Sequence, residues 1–139
     1  MRIKFLMAEE FRPEPNNKIT VLGLFAGETL ILNKGPRPEG VPEDAPIGLE
    51  RLAFMLIISD LDGTHDFKGS IFDPNGQAMS FEQQLGEGIM IEKGMSHIII
   101  NEVKPFIIKA AGTYTFVLHV DDNQEKFSFE IRLAESITN

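Results

Sequence analysis

The chain has 139 residues, of which 42% are apolar and 24% are charged, and its formal net charge is −8. This composition is typical of a folded globular protein and argues against intrinsic disorder. Nucleic acids and anionic membrane surfaces attract basic patches, so the acidic balance argues against both as partners. The chain contains no cysteine, which excludes disulfides and cysteine nucleophiles and suits a reducing compartment.

The N-terminal region lacks the sequence pattern of a targeting segment. Its apolar run, Phe5 to Ala8, is too short for a signal-peptide core, and Glu9 and Glu10 follow at once. No stretch approaches the roughly 20 apolar residues of a membrane-spanning helix. We therefore expect a cytoplasmic protein that forms one domain over residues 1–139.

The first third of the chain predicts strands followed by a long loop. Residues 2–11 are expected to form the first strand. Residues 18–32 are expected to form a second, longer strand or a bent pair, because Gly23 and Gly27 can mark a bulge or a bend. Residues 33–49 contain four prolines and three glycines, which predicts a long surface loop.

The middle of the chain predicts a central strand and a hairpin. Residues 50–59 are apolar on both faces, as in a strand that is buried on both sides. Pro74-Asn75-Gly76 is a turn signal between predicted strands at residues 66–73 and 77–82. The chain is then expected to continue with a loop over residues 83–88 and strands over residues 89–92 and 96–103.

The last third of the chain, residues 112–133, predicts a second hairpin. Its two arms alternate between apolar and polar residues with a period of two, which is typical of strands with one wet face. The polar segment Asp121–Gln124 is expected to be a four-residue hairpin loop. The inner face would carry Tyr114, Phe116, Leu118 and Val120 on the first arm and Phe127, Phe129, Ile131 and Leu133 on the second.

Tyr114, the only tyrosine, is similar to the tyrosine corner of immunoglobulin-like sandwiches, whose hydroxyl bonds to upstream backbone. Its expected acceptor lies in residues 109–112; the alternative is a half-buried strand residue without that bond. Phe116 stands where antibody domains have their second cysteine, and Phe54 or a neighbour stands where they have a tryptophan. We expect a cluster of Phe54, Phe116 and Phe129 to replace that cysteine–tryptophan pin.

These patterns predict an all-β protein: an immunoglobulin-like antiparallel β-sandwich of about seven to nine strands with little or no helix. The whole chain also resembles a family of small bacterial proteins of unknown function. The resemblance implies a sandwich and brings no catalytic or binding residue with it. The matching stretches are Met7-Ala-Glu9, Lys18–Phe25, Phe72-Asp-Pro-Asn-Gly76, Pro105-Phe106 and Gly112-Thr-Tyr114.

One acidic turn could bind calcium. Asp60, Asp62 and Asp66 lie within seven residues, but their spacing differs from that of an EF-hand loop. A calcium-binding sandwich would need a second acidic loop, for which Asp121-Asp122 is the candidate. If residues 50–59 and 113–121 are neighbouring antiparallel strands, these two loops lie at opposite ends. A solvated turn is therefore the favoured interpretation.

No motif predicts an enzyme or a cofactor. The three histidines, His65, His97 and His119, are not spaced as metal ligands on one strand. The chain contains no nucleophile elbow, phosphate-binding loop or dinucleotide fingerprint. A hydrolase with an unrecognised pair of carboxylates is a third hypothesis without a supporting motif.

The leading functional hypothesis rests on a predicted apolar exterior patch. If Leu52 and Phe54 point inward, Ala53, Met55 and Ile57 point outward, and Val117 would join them if its strand pairs with theirs. Such a patch marks an interface unless another segment covers it or the face assignment is shifted by one residue. We therefore expect a non-enzymatic interaction module that forms a homo-oligomer or binds another protein. The alternative is a calcium- or small-ligand-binding sandwich that uses the 60–66 turn.

Overall fold

The computed structural model describes residues 1–34, 40 and 47–135, and almost all of them lie in strands. The only helical element in this part of the chain is a 3₁₀ turn at Ala26–Glu28. The strands are β1 (Arg2–Glu14), β2 (Lys18–Leu24), β3 (Thr29–Lys34), β4 (Ile47–Leu49), β5 (Leu52–Ser59), β6 (Gly63–Phe72), β7 (Ala78–Ile91), β8 (His97–Val103), β9 (Phe106–Ile108), β10 (Gly112–Val120) and β11 (Asn123–Glu135).

Two sheets pack face to face to form a β-sandwich. The first has four strands in the order β2-β1-β5-β8, and the second has five in the order β3-β11-β10-β6-β7. A two-stranded sheet, β4-β9, is not hydrogen-bonded to either, but its Phe106 and Ile108 pack in the same core. All pairings are antiparallel except that of β3 with β11. The predicted all-β sandwich is confirmed.

Aromatic side chains join the two sheets in the core. Phe54 of β5 lies 5.2 Å from Phe116 of β10 and 5.5 Å from Phe129 of β11, measured between ring centroids. Phe5 of β1 stacks on Phe54 at 5.7 Å. All four rings are buried, and burying each large apolar side chain contributes about 1.5–3 kcal/mol. The predicted cluster of Phe54, Phe116 and Phe129 is therefore confirmed.

The chain passes from one sheet to the other between β2 and β3. Gly27 in the intervening 3₁₀ turn has φ of +67°, a conformation that glycine adopts at little cost. The bent pair predicted for residues 18–32 is thus confirmed, and its two halves lie in different sheets. Among the described strands, β2 is the outermost of its sheet and pairs with β1 alone.

Several predicted boundaries were wrong. Residues 83–88 belong to the continuous strand β7, which follows β6 through three register irregularities. The hairpin between β10 and β11 turns through Asp121 and Asp122 alone, because Val120 pairs with Asn123. Asp121 adopts φ of +53°, which aspartate tolerates better than most residues. The turn therefore has two residues where four were predicted.

The predicted loop at residues 33–49 falls largely outside the described residues. Its first two residues extend β3, and its last three form β4, which pairs with β9. Strand β9 was not predicted from the sequence. With these short strands and the division of residues 18–32, the described residues form eleven strands where seven to nine were predicted.

Tyr114 is only 1% exposed, and its hydroxyl donates a hydrogen bond to the carbonyl oxygen of Ala110 at 2.7 Å. Its ring stacks on Phe129 at 5.5 Å. The expected bond to residues 109–112 is confirmed, and the alternative of a half-buried strand residue is wrong. The finer immunoglobulin-like classification stays a prediction.

One polar residue, Asn101 of β8, is buried among the inward-facing side chains. It is 2% exposed and lies opposite Phe54 of β5. Its amide nitrogen donates to the side-chain oxygen of Gln83 at 2.7 Å, while its own side-chain oxygen has no partner in the described part of the chain. A buried acceptor that loses water without gaining a bond lowers stability.

We predict that Tyr114→Phe lowers the free energy of unfolding by about 1–3 kcal/mol, because the Ala110 carbonyl loses its donor. Denaturant titration measures this change. Tyr114→Leu, which also removes the stacking on Phe129, should cost more. Equal stability of Tyr114→Phe and the wild type would show that the hydroxyl bond contributes nothing.

We predict that Asn101→Leu raises the free energy of unfolding by about 1–3 kcal/mol, since leucine has a similar size and needs no hydrogen bond. The exposed amide of Gln83 can bond to water instead. Gln83→Leu is the matched control, because it keeps Asn101 buried and should destabilise the fold. A lower melting temperature for Asn101→Leu would contradict this account.

Candidate interaction surface

The outer face of the four-stranded sheet is apolar. On its central strand, β5, Leu52 and Phe54 face the core, so Ala53, Met55 and Ile57 face outward, as predicted. Cross-strand pairing extends this face onto both neighbouring strands. The outward rows across β1, β5 and β8 are Lys4–Ile57–Ile98, Leu6–Met55–Ile100 and Ala8–Ala53–Glu102.

Part of this face is already covered within the single chain. Ala53 and Met55 are 1% and 5% exposed, and they form a second cluster with Ala8 and Phe11 that is separate from the core. Phe11 lies on the part of β1 that extends beyond β5 to pair with β2. Ala53 and Met55 therefore do not form the exposed patch that the sequence predicted.

The accessible part of the face consists of four aliphatic side chains, which we call the outer patch. Ile98 is 42% exposed, and Leu6, Ile57 and Ile100 are half-buried. Leu6, Ile57 and Ile100 also pack against the second cluster, so the outer patch continues from a rigid apolar layer. A solvated face of an antiparallel sheet ordinarily carries polar residues, which makes this surface a candidate interface.

Val117 does not belong to this surface. Its strand, β10, pairs with β6 and β11 in the opposite sheet, so the expected pairing of residues 50–59 with residues 113–121 is wrong. Val117 is 4% exposed and lies between Ser70 and Lys126 on the outside of the five-stranded sheet. Alternation placed Val117 correctly on an outer face but could not identify which sheet carried it.

Ile98 and Ile100 were not recognised from the sequence as surface residues. The signal was present, since an isoleucine run at residues 98–100 must point at least one side chain away from the core. Choosing the outward members required the pairing of β8 with β5, which places Ile100 beside Met55. The outer patch thus joins one predicted residue, Ile57, to three that the structure adds.

The acidic turn lies at one end of the sandwich, beside the β10–β11 turn. Asp121 accepts hydrogen bonds from His65 at 2.7 Å and from the backbone N–H of Asp66 at 2.9 Å. The expectation that the two acidic loops lie at opposite ends is therefore wrong. It failed because β6, which follows the acidic turn, is the direct neighbour of β10.

The carboxylates of Asp60 and Asp66 interact with different partners. Asp60 pairs with Arg2 at 2.7 Å, and Asp66 accepts a hydrogen bond from the backbone N–H of Gly88 at 2.7 Å. In the part of the chain that the structure describes, no group of three or more acidic, histidine or cysteine side chains could hold a metal ion. Within those residues, Asp60, Asp62 and Asp66 are not brought together as a group of three carboxylates.

The contacts of His65 favour its protonated form. Its two ring nitrogens contact the Asp121 carboxylate at 2.7 Å and the Asp62 carbonyl at 2.6 Å. Both partners are acceptors, so only the doubly protonated ring can donate to both. The bond to Asp121, followed by that to Asp62, raises the pKa of His65 above its usual 6.5. The same pair lowers the pKa of Asp121.

A cleft of about 410 Å³ opens near the other end, where β6 turns into β7. Met79, Val103 and Ile107 form apolar walls, and Lys109 and Tyr114 contribute polar groups. The Tyr114 hydroxyl in this cleft already donates to Ala110. We therefore assign Tyr114 a structural role.

No family model matches this chain, and no curated protein matches it either. In the described residues, no helix is long and apolar enough to cross a membrane.

We predict that the pair of His65 and Asp121 stabilises the fold most strongly in mildly acidic solution. Because the folded pKa of His65 is raised, its contribution is complete below about 6.5 and is lost as pH rises through the higher folded value. The contribution of Asp121 is lost at the acidic end, as pH falls through its lowered folded pKa. Melting temperatures of His65→Gln and the wild type should therefore converge as pH rises through the raised folded pKa of His65.

His119→Gln is the matched control and should keep the wild-type pH profile. The lowered pKa of the partly buried His97 affects the wild type and both variants equally, so the difference between them isolates His65. A gap between wild type and His65→Gln that does not change with pH would contradict the imidazolium assignment.

Proposed function

We propose that this protein is a non-enzymatic interaction module that associates with a second copy of itself through the outer patch. The observation that carries the proposal is the position of Ile98, exposed beside half-buried Ile57 and Ile100 on an otherwise apolar sheet face. Burying such side chains against another apolar surface contributes roughly 25 cal/mol for each Å² removed from water.

The charge of the chain favours this face over others for self-association. Two copies with a formal charge of −8 each repel one another over most of their surfaces. The outer patch is bordered by charges of both signs, with Lys4 on β1 and Glu102 beside Lys104 on β8. Two copies can therefore bring this face together without concentrating negative charge.

The position of the outer patch on paired strands supports the same conclusion. The outer patch spans three hydrogen-bonded strands, β1, β5 and β8, whose positions are fixed by backbone pairing. The cluster of Ala8, Phe11, Ala53 and Met55 beneath and beside it limits rearrangement of its side chains. A preorganised surface loses less conformational entropy on binding than a flexible loop does.

We further infer that the sandwich is immunoglobulin-like and that the protein is cytoplasmic. The order β1-β5-β8 corresponds to strands A, B and E of that fold, and β6-β10-β11 corresponds to C, F and G. The bond from Tyr114 to Ala110 supports the same classification. The absence of cysteine from the sequence is compatible with a reducing compartment.

We predict that the wild type forms a concentration-dependent dimer. Ile98→Glu should raise the dissociation constant of this dimer by at least about tenfold. A carboxylate buried without a partner costs several kcal/mol, and each 1.4 kcal/mol corresponds to a factor of ten. Sedimentation equilibrium measures both constants. The fold should persist in the variant, because Ile98 is already 42% exposed in the single chain.

Ile31→Glu provides the matched control. Ile31 is more exposed, at 61%, but it lies on β3 at the edge of the opposite sheet, so dimerisation should be unchanged. A wild type that stays monomeric at every concentration, or equal effects of the two substitutions, would refute the proposed surface.

A further inference from the structure

Two charged residues border the outer patch at diagonally opposite corners. Lys4 lies on β1 in the row of Ile57, and Glu102 lies on β8 in the row of Ala53. The two positions are separated by two strand spacings, roughly 10 Å, and by four residues along the strands, roughly 13 Å. Both side chains are exposed.

Neither charge has a strong partner of its own. Among the described residues, Glu102 approaches only Lys104, at 3.9 Å, and that contact is exposed to solvent. Lys4 makes no ion pair in the same part of the chain. Exposed pairs such as the one with Lys104 contribute little, so Lys4 and Glu102 are available to an incoming surface.

The symmetry of a two-copy complex limits how these charges can meet. Two equal faces that pack together are related by a twofold axis lying in the plane of contact. An axis parallel to the strands places Lys4 of one copy over Ile98 of the other. An axis perpendicular to the strands places Lys4 over Ala8. In both arrangements, the charged Lys4 packs against an apolar side chain, either Ile98 or Ala8.

A diagonal axis through Met55, perpendicular to the line from Lys4 to Glu102, gives a different result. It exchanges the two charged corners, so Lys4 of each copy faces Glu102 of the other, and the pair occurs twice. The same rotation places Ile57 of each copy against Ile100 of the other and brings the two Ile98 side chains together. The strands of the two sheets then cross at roughly 75°, which is closer to the orthogonal than to the aligned packing of two sheets.

We propose that two copies of this chain dock their four-stranded sheets in this crossed orientation, with Lys4 of each copy paired to Glu102 of the other. The orientation rests on the self-association proposed above and deepens it. The aliphatic side chains supply most of the affinity, and the two charge pairs select the crossed arrangement over the aligned ones.

Reversal of the two charges tests this orientation. Lys4→Glu places two glutamates together at each corner, and Glu102→Lys places two lysines together, so each single variant should weaken dimerisation by at least about tenfold. The double variant Lys4→Glu/Glu102→Lys restores opposite charges and should return to within about threefold of the wild type. Sedimentation equilibrium in low salt measures all four proteins, and melting temperatures verify their folding.

Lys126→Glu, on the outside of the opposite sheet, is the matched control for the change in net charge and should leave the dimer unchanged. If Ile98→Glu dissociates the dimer but the charge reversals have no effect, self-association stands and the crossed orientation is wrong. Single variants that weaken the dimer without recovery in the double variant would also overturn the pairing. A monomeric wild type would remove both proposals.

Discussion

The contact between Phe54 and Phe116 is the interaction on which this fold depends. It joins the central strand of one sheet to a central strand of the other at 5.2 Å, and Phe5 and Phe129 pack around it. The chain contains no cysteine, so no covalent link holds the two layers. Tilted and offset aromatic pairs contribute about 0.5–1.5 kcal/mol each beyond the area that they bury. The separation of the sheets is therefore set by the size of these rings.

The position of Phe54 also determines what the outside of its sheet presents. Because successive side chains of a strand point to opposite faces, an inward Phe54 obliges Met55 to point outward. Most outward positions of β5 and its neighbours are also apolar, and Phe11 and Ile19 pack with some of them. The sheet thus has an apolar layer on each side. The inner layer builds the core, and the part of the outer layer around Ile98 is the surface for which we propose a partner.

Most of the polar interactions described above lie at the ends of the sandwich, outside the apolar core. At one end, His65 joins the turn before β6 to the turn after β10, through Asp62 and Asp121. Near the β6–β7 turn, the Tyr114 hydroxyl bonds the backbone of the segment that leads into its own strand. Asn101 is the exception, since it is buried in the core and its side-chain oxygen has no partner among the described residues. The polar contacts position the connections between strands, whereas the aromatic contacts hold the layers together.

The sequence by itself determined the features that depend on neighbouring residues. Alternation identified the inward faces of β10 and β11, and the residues around Tyr114 indicated a hydrogen bond to the preceding backbone, because both are governed by local geometry. Only the tertiary structure decided which strands are neighbours. Alternation assigns a side chain to a face but not to a sheet, so Val117 was grouped with Met55, and His65 was not placed beside Asp121. Pairing between strands distant in sequence is selected by how the two whole layers bury their apolar faces together, and no local pattern contains that information.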